Sequence, residues 1–381
     1  MRAADDLGRV HRRIPVLIVA GYLGAGKTTL LNRLLRQRQA RIGVVVNDFG
    51  AVNIDAMLVA GQVDAMVSLG NGCVCCAVDV TELDDLFARL AEPRNRIDVI
   101  VVEASGLAEP RNLIRMVVGS DNPRIRYGGL IEVVDAEHFD DSRARHPELG
   151  SHLRLADLVV LNKADRVPAD RVARLRREIG ELVGTVPVHA TSHGRVDPRL
   201  LFDPPQSRPP VAEQLSFDEL LDDHDHHDDG HRHLHDDYDS VSFVSPDDLD
   251  PRRLVGFLED PPPGLFRAKG CAAFAVRGEQ RKFLLHMVGR HVVFEPAAWE
   301  RGEDRETRVV LIGSGMDPDA ATARLRETVH TAELLDDQAM LPVWRYVPRE
   351  IRDAVDDPDD FTAADPSNAL DEYDMAGESD R

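Results

Sequence analysis

Three observations predict an α/β fold, a doubly wound parallel sheet built around a phosphate loop, followed by a smaller α+β domain. Gly21-Tyr22-Leu23-Gly24-Ala25-Gly26-Lys27-Thr28-Thr29 satisfies the G-x-x-x-x-G-K-S/T pattern. Apolar runs alternate with helical patterns from Ile14 to about Arg199, the order expected of a parallel sheet with a ligand at its strand ends. Between Ser240 and Val347 the pattern changes, and strand-like runs surround two helical stretches.

Ile14 to Ala20 reads as a buried parallel strand, while Leu30, Leu31, Leu34 and Leu35 repeat on one helical face. The phosphate loop therefore joins strand to helix, which is the setting its pattern requires. Gly21, Gly24, Ala25 and Gly26 bring backbone N–H groups around phosphate oxygens, and Thr29 continues the cradle into the helix. Lys27 reaches the β- and γ-phosphates, and the Thr28 hydroxyl is placed to ligate magnesium. Further along, Ile97 to Val102 runs into Glu103-Ala104-Ser105-Gly106. Glu103 stands where an acid holds magnesium through water, and Gly106 can donate its N–H to a γ-phosphate and release it after hydrolysis. A strand-end acid that caps the next helix is the alternative for Glu103.

The strand Leu158 to Leu161 ends in Asn162-Lys163-Ala164-Asp165, and this tetrad favours guanine. The Asp165 carboxylate can accept from the guanine N1–H and exocyclic amine, whereas adenine would leave a buried charge unpaired. Lys163 can lie over the base, and Asn162 can tie this loop to the phosphate loop. The expected nucleotide is GTP with Mg2+, and Lys27, Thr28 and Glu103 are the expected catalytic residues.

Gly72-Cys73-Val74-Cys75-Cys76 packs three of the four cysteines into four positions. Neighbouring thiolates suit zinc, copper(I) or cobalt, and Gly70 and Gly72 allow the tight backbone that converging sulfurs need. A Cys75–Cys76 disulfide would be strained. Small buried hydrophobes beside a turn are the alternative, since free cysteine buries readily.

Within Ser240 to Val347, strands are expected at Val241 to Phe243, Cys271 to Val276, Phe283 to Val288 and Arg308 to Ile312, with helices at Leu249 to Glu259 and Asp319 to Val329. The sheet should be mostly antiparallel with helices on one face. Cys271 lies in its strand and reads as core rather than ligand. The expected division is a first domain over 14–200, a Pro/His/Asp-rich linker over 201–239, a second domain over 240–347 and an acidic tail over 356–381. Linker residues 222–237 carry six histidines among many carboxylates, a composition with little to bury and able to hold zinc, nickel or cobalt weakly. A solvated acidic linker is the alternative.

A net charge of −21 over 381 residues argues against nucleic acid or an anionic membrane as a partner. No apolar run approaches the length of a membrane span. The expectation is a cytoplasmic protein, and a homodimer is compatible with the sequence.

With these motifs in place the chain resembles the CobW-type metallochaperone GTPases, a phosphate-loop class that also contains urease and hydrogenase maturation GTPases. The resemblance spans Gly21 to Thr29, Asn47-Asp48-Phe49-Gly50, Gly72 to Cys76, Glu103 to Pro110, Val133 to Phe139, Asn162 to Asp165 and Gly264 to Gly270. It implies GTP hydrolysis coupled to a divalent metal, usually zinc and in some members cobalt or iron (Co2+ or Fe2+ in place of Zn2+), held by Cys73, Cys75 and Cys76. It also implies delivery of that metal to a client metalloprotein. The family commonly reads N-E-F-G-E where this chain has Asp48 and Ala51. The shorter Asp48 carboxylate can still ligate metal and Ala51 cannot. Ala104 and Ser105 stand where threonines are commoner. A metal buffer with weak GTPase activity, or a phosphoryl transferase using the same loop, are the rival functions, and the guanine tetrad weighs against the second.

Overall fold

Seven strands form one sheet, and its edges and centre follow from which runs are apolar on both faces. The computed structural model describes residues 13–37, 40–46, 65–68, 80–104, 109–203, 238–349 and 351–352. The strands are β1 (Ile14–Ala20), β2 (Ile42–Val46), β3 (Ala65–Ser68), β4 (Val99–Glu103), β5 (Ile125–Asp135), β6 (Leu158–Asn162) and β7 (Val188–Ala190). Their order is β3-β2-β4-β1-β5-β6-β7, with every pairing parallel. Val16 to Val19 have no exposed surface, nor do Val99 to Val102 or Leu158 to Leu161, because helices cover both faces of a parallel sheet.

The alternation of side chains along β1 sorts the two covers. Leu17 and Val19 pack with Leu30, Leu31 and Leu34 of helix α1 (Lys27–Arg36). Val16 and Ile18 pack on the opposite face with Leu83 and Phe87 of α2 (Val80–Leu90) and Leu113 of α3 (Pro110–Val118). Each fully buried aliphatic side chain contributes roughly 1.5–3 kcal/mol relative to exposure. The register then brings functional positions to one edge: Val19 lies beside Glu103, Ala20 beside Glu132, and Asp135 beside Asn162.

The second sheet has the order β11-β10-β9-β12-β8, all antiparallel, from β8 (Asp239–Ser245), β9 (Leu265–Ala272), β10 (Lys282–Val288), β11 (His291–Ala297) and β12 (Thr307–Gly313). One face, with Phe243, Ala268, Leu285, Val309 and Leu311, buries Leu254 and Leu258 of the helix Pro251–Glu259 and Leu325 of Pro318–Arg326. Asp250 and Asp317 cap those helices, each accepting backbone N–H bonds ahead of a proline in the first turn. The other face joins the first sheet's core through Phe266, Val288 and Ile312.

Two elements differ from the sequence expectation. The strand expected over Cys271 to Val276 is observed over Leu265–Ala272. Arg267 and Lys269 break its apolar pattern, yet both are tied to Asp203, which follows the helix Pro198–Leu201, Arg267 at 3.0 Å. Phe274 and Val276 leave the ladder and make isolated bridges to Leu249 and Leu335. β11 was not anticipated. It follows β10 through the two-residue turn Gly289-Arg290, which pairs Val288 with His291. Among the described residues no helix is long and apolar enough to cross a membrane.

The hairpin turn is also a contact between the two sheets. Asp157, 7% exposed, accepts from the Tyr127 hydroxyl and from Leu130 N at 2.9 Å, while Gly289 donates its N–H to Phe266 O. Gly289 has φ 54, and a Cβ there would lie 1.8 Å from Asp157 Oδ1. Gly289→Ala is therefore expected to cost on the order of 2 kcal/mol, from strain and loss of this contact. Equilibrium denaturation with wild type alongside checks it, and an unchanged midpoint would show that the turn does not bear on Asp157.

Candidate functional site

The phosphate loop leaves β1 and enters α1 with three glycines at positive φ, Gly21 at 140°, Gly24 at 80° and Gly26 at 105°. Gly26 caps α1, so the loop's N–H groups and the positive end of the helix face the same space. Lys27 is 8% exposed, and its Nζ donates to Gly21 O at 2.9 Å and Tyr22 O at 3.3 Å. Its ammonium thus lies folded along the loop it would serve. Beside the loop a cavity of about 240 Å3 is lined by Tyr22, Leu23, Gly24, Asp135, His138 and Lys163.

Thr28 Oγ1 donates to Glu103 Oε1 at 2.8 Å. Glu103, 3% exposed, ends the strand adjacent to β1, so 75 positions of sequence close into one hydroxyl–carboxylate pair. Oxygen donors of this kind fit magnesium, a hard cation that favours carboxylate and hydroxyl over nitrogen or sulfur. The residue at the N-cap position of α3 is Glu109, whose side chain makes no cap bond.

Asn162 joins the two loops. Its Nδ2 donates to Ala25 O at 3.0 Å and its Oδ1 accepts from Gly194 N at 2.9 Å. Approach is close enough that a Cβ at Gly26 would lie 2.3 Å from Asn162 Nδ2. Lys163 takes φ 59, and its Nζ is held by Asp135 Oδ2 at 2.7 Å. Although partial burial pushes the Asp135 carboxyl up, Lys163 and His138 hold it below the usual carboxylate range. Asp165 stays partly exposed, with His193 Nε2 at 3.7 Å.

Three of these partners escaped the sequence reading. The turn Thr191 to Gly194 after β7 supports the tetrad, accepting Ala164 N at Thr191 O and donating from Gly194 N. His193 sits in that turn with φ 55. Asp135 fixes Lys163 from β5. A Ser-His-Gly turn after an apolar strand is the signal that could have pointed to the first two. Asp135, Glu137 and His138 also form the one group of three metal-capable side chains among the described residues. Lys163 and Arg166 already pair with Asp135 and Glu137, so no metal role is assigned to it.

The structure brings together Gly21, Gly24, Ala25, Gly26, Lys27, Thr28, Glu103 and Asn162, with Thr29 in the first turn of α1. Lys163 and Asp165 follow directly at the end of β6. Asp48, Cys73, Cys75, Cys76 and Gly106 lie outside the described residues, as do the histidine-rich stretch and the acidic tail. Cys271 is half-buried on β9, its Sγ 3.8 Å from Glu306 O.

Residues 15–190 match the family described as CobW/HypB/UreG, nucleotide-binding domain, and residues 238–329 match the cobalamin synthesis protein cobW C-terminal domain. A Sinorhizobium protein named zinc chaperone CobW is 30% identical over 355 residues, covering 83% of this chain and 98% of that protein. A Pseudomonas aeruginosa protein of the same name is 33% identical over 358 residues, covering 82% and 91%. The zinc-regulated GTPase metalloprotein activator 1 of Schizosaccharomyces pombe is 29% identical over 194 residues, covering 48% and 47%.

Asn162→Ala is expected to leave Ala25 O and Gly194 N without their shared partner, at a cost of about 1–3 kcal/mol. Nucleotide affinity should fall with it, because the phosphate loop and the tetrad lose their common tether. Denaturant unfolding and nucleotide titration check the two effects, and wild-type values in both would show that the tie is dispensable.

Proposed function

Because the chain belongs to the CobW family, we propose that it is a GTP-hydrolysing metallochaperone, carrying zinc as cargo to a client metalloprotein under control of its GTP or GDP state. The observation that carries this proposal is the Asn162 bridge. It makes phosphate loop and base tetrad one connected unit, which a vestigial nucleotide site would not need to keep.

In the proposed cycle Lys27 exchanges its bonds to Gly21 O and Tyr22 O for β- and γ-phosphate oxygens. Thr28 and Glu103 would hold magnesium, which would neutralise charge on those phosphates. Asp165 accepts from the guanine edge, and Lys163, pinned by Asp135, flanks the base. Gly106 contacts the γ-phosphate. No glutamine follows Gly106 in the next four positions, so intrinsic hydrolysis should be slow and await stimulation by metal or client.

Zinc is assigned to Cys73, Cys75 and Cys76 with Asp48, a thiolate-rich donor set that suits it. The two relatives named zinc chaperones support zinc over cobalt or iron. Coupling to nucleotide is supported by strand register. Val46, the last residue of β2, pairs with both Glu103 and Ser68. Chain segments 47–51 and 69–76 thus follow strands that end level with the magnesium carboxylate. A loop ordered by GTP on that edge would alter the metal site, and the effect on the two affinities is reciprocal.

Replacing Cys75 and Cys76 together with serine tests the assignment, because hydroxyls stay protonated at neutral pH and are poor ligands for zinc. High-affinity zinc binding should fall steeply and zinc stimulation of GTP hydrolysis should vanish, while basal hydrolysis persists. The measurement is a GTPase titration with zinc at saturating magnesium. An identical response in variant and wild type would make the protein a metal buffer whose GTPase activity is uncoupled.

A further inference from the structure

Glu132 lies on β5 with no exposed surface, and neither of its carboxylate oxygens has a hydrogen-bond partner among the described residues. Its neighbour across the ladder is Ala20, the last residue of β1 before the phosphate loop. Nothing in the phosphate-loop pattern calls for a carboxyl group here, and an ionised one without a partner is costly. Burial pushes the Glu132 carboxyl up to about 8, with the Lys27 ammonium pulling it the other way.

The other ionisable groups around this point come from three elements. Tyr22 belongs to the phosphate loop, and burial together with Glu148, Glu132 and Glu109 pushes its hydroxyl above the usual tyrosine range. Glu109 precedes α3, and its Oε2 is 3.5 Å from His152 Nε2 on the helix Leu149–Leu155. His146 and His152 lie over the Tyr22 ring, with centroids 4.4 and 6.2 Å away. At Glu132 burial is opposed by one charge, the Lys27 ammonium.

We propose that Glu132 is a positioning residue for Lys27: ionised, it holds the lysine back from the phosphates, and as a neutral acid it lets the lysine engage them, so that wherever the free protein carries Glu132 ionised, nucleotide binding takes up a proton. This rests on the nucleotide-binding reading above. When Lys27 commits its charge to a β-phosphate, Glu132 loses the field that favours its ionised form. The polyphosphate adds a like charge on the same side. Both changes favour the protonated acid, and the proton comes from solvent.

The sign follows directly. Below the free-state value Glu132 is protonated with and without nucleotide, and affinity does not depend on pH through this group. Above it the free protein has lost a proton that the complex must regain, so affinity falls, at the limit about tenfold per pH unit. With a free-state value of about 8, affinity should drop about sevenfold between pH 7 and pH 8.8.

The test is calorimetric binding of magnesium GDP to the full-length wild type and to Glu132→Gln, which mimics the neutral acid in shape. Wild type should lose about sevenfold in affinity over that range, and at pH 8 its binding enthalpy should vary with the ionisation enthalpy of the buffer, reporting proton uptake. Glu132→Gln should show no such drop, should bind about sevenfold more tightly than wild type at pH 8.8, and should take up no proton. Guanine N1 and the cysteines also titrate towards high pH, but both proteins share them. The same pH profile in both proteins would overturn the proposal, as would wild-type binding without proton uptake, a measurement that needs no variant to fold. Failure of wild type to bind guanine nucleotide at any pH would overturn the nucleotide reading and this proposal together.

Discussion

The carboxamide of Asn162 is the contact on which the rest of the site depends. It spends its donor on Ala25 O and its acceptor on Gly194 N, and so closes three loops at the carboxyl edge of one sheet. That edge exists because β1, β4, β5 and β6 are apolar on both faces and pair in parallel, which leaves their polar ends side by side. A buried amide satisfied at both ends fixes geometry as well as contributing stability. Movement of the base loop is therefore felt at the phosphate loop.

Charge on this edge is managed by pairing where it can be and by protonation where it cannot. Glu103 has the Thr28 hydroxyl, and Asp135 has Lys163. Among the described residues Glu132 has no such partner, and burial makes its neutral form the stable one near neutral pH. Lys27 is the shared element, since it belongs to the phosphate loop and its charge also acts on Glu132. In a chain of net charge −21, a polyanionic ligand is attracted by local arrangement of N–H groups and this lysine rather than by the overall field.

Features carried by fixed local spacing were legible in the sequence. The phosphate loop, the helix face of Leu30, Leu31, Leu34 and Leu35, and the role of Asn162 as a tie all have local signatures. Pairings across long separations were not. Lys163 with Asp135 and Asp165 with His193 join residues 28 positions apart, and no local pattern records them. β9 was misplaced because Arg267 and Lys269 interrupt its apolar run, and only the fold reveals Asp203 as their partner. Glu132 belongs to no motif, and only the strand pairing places it beside Ala20.

The central claim is that guanine nucleotide and zinc are held by one coupled unit. It is tested most directly by zinc affinity of the wild-type protein, measured by competition with a chelator, in the presence of a non-hydrolysable GTP analogue and then of GDP. A delivery cycle requires the two affinities to differ by at least about tenfold, a coupling of roughly 1.4 kcal/mol. Equal zinc affinity in the two states would contradict the account.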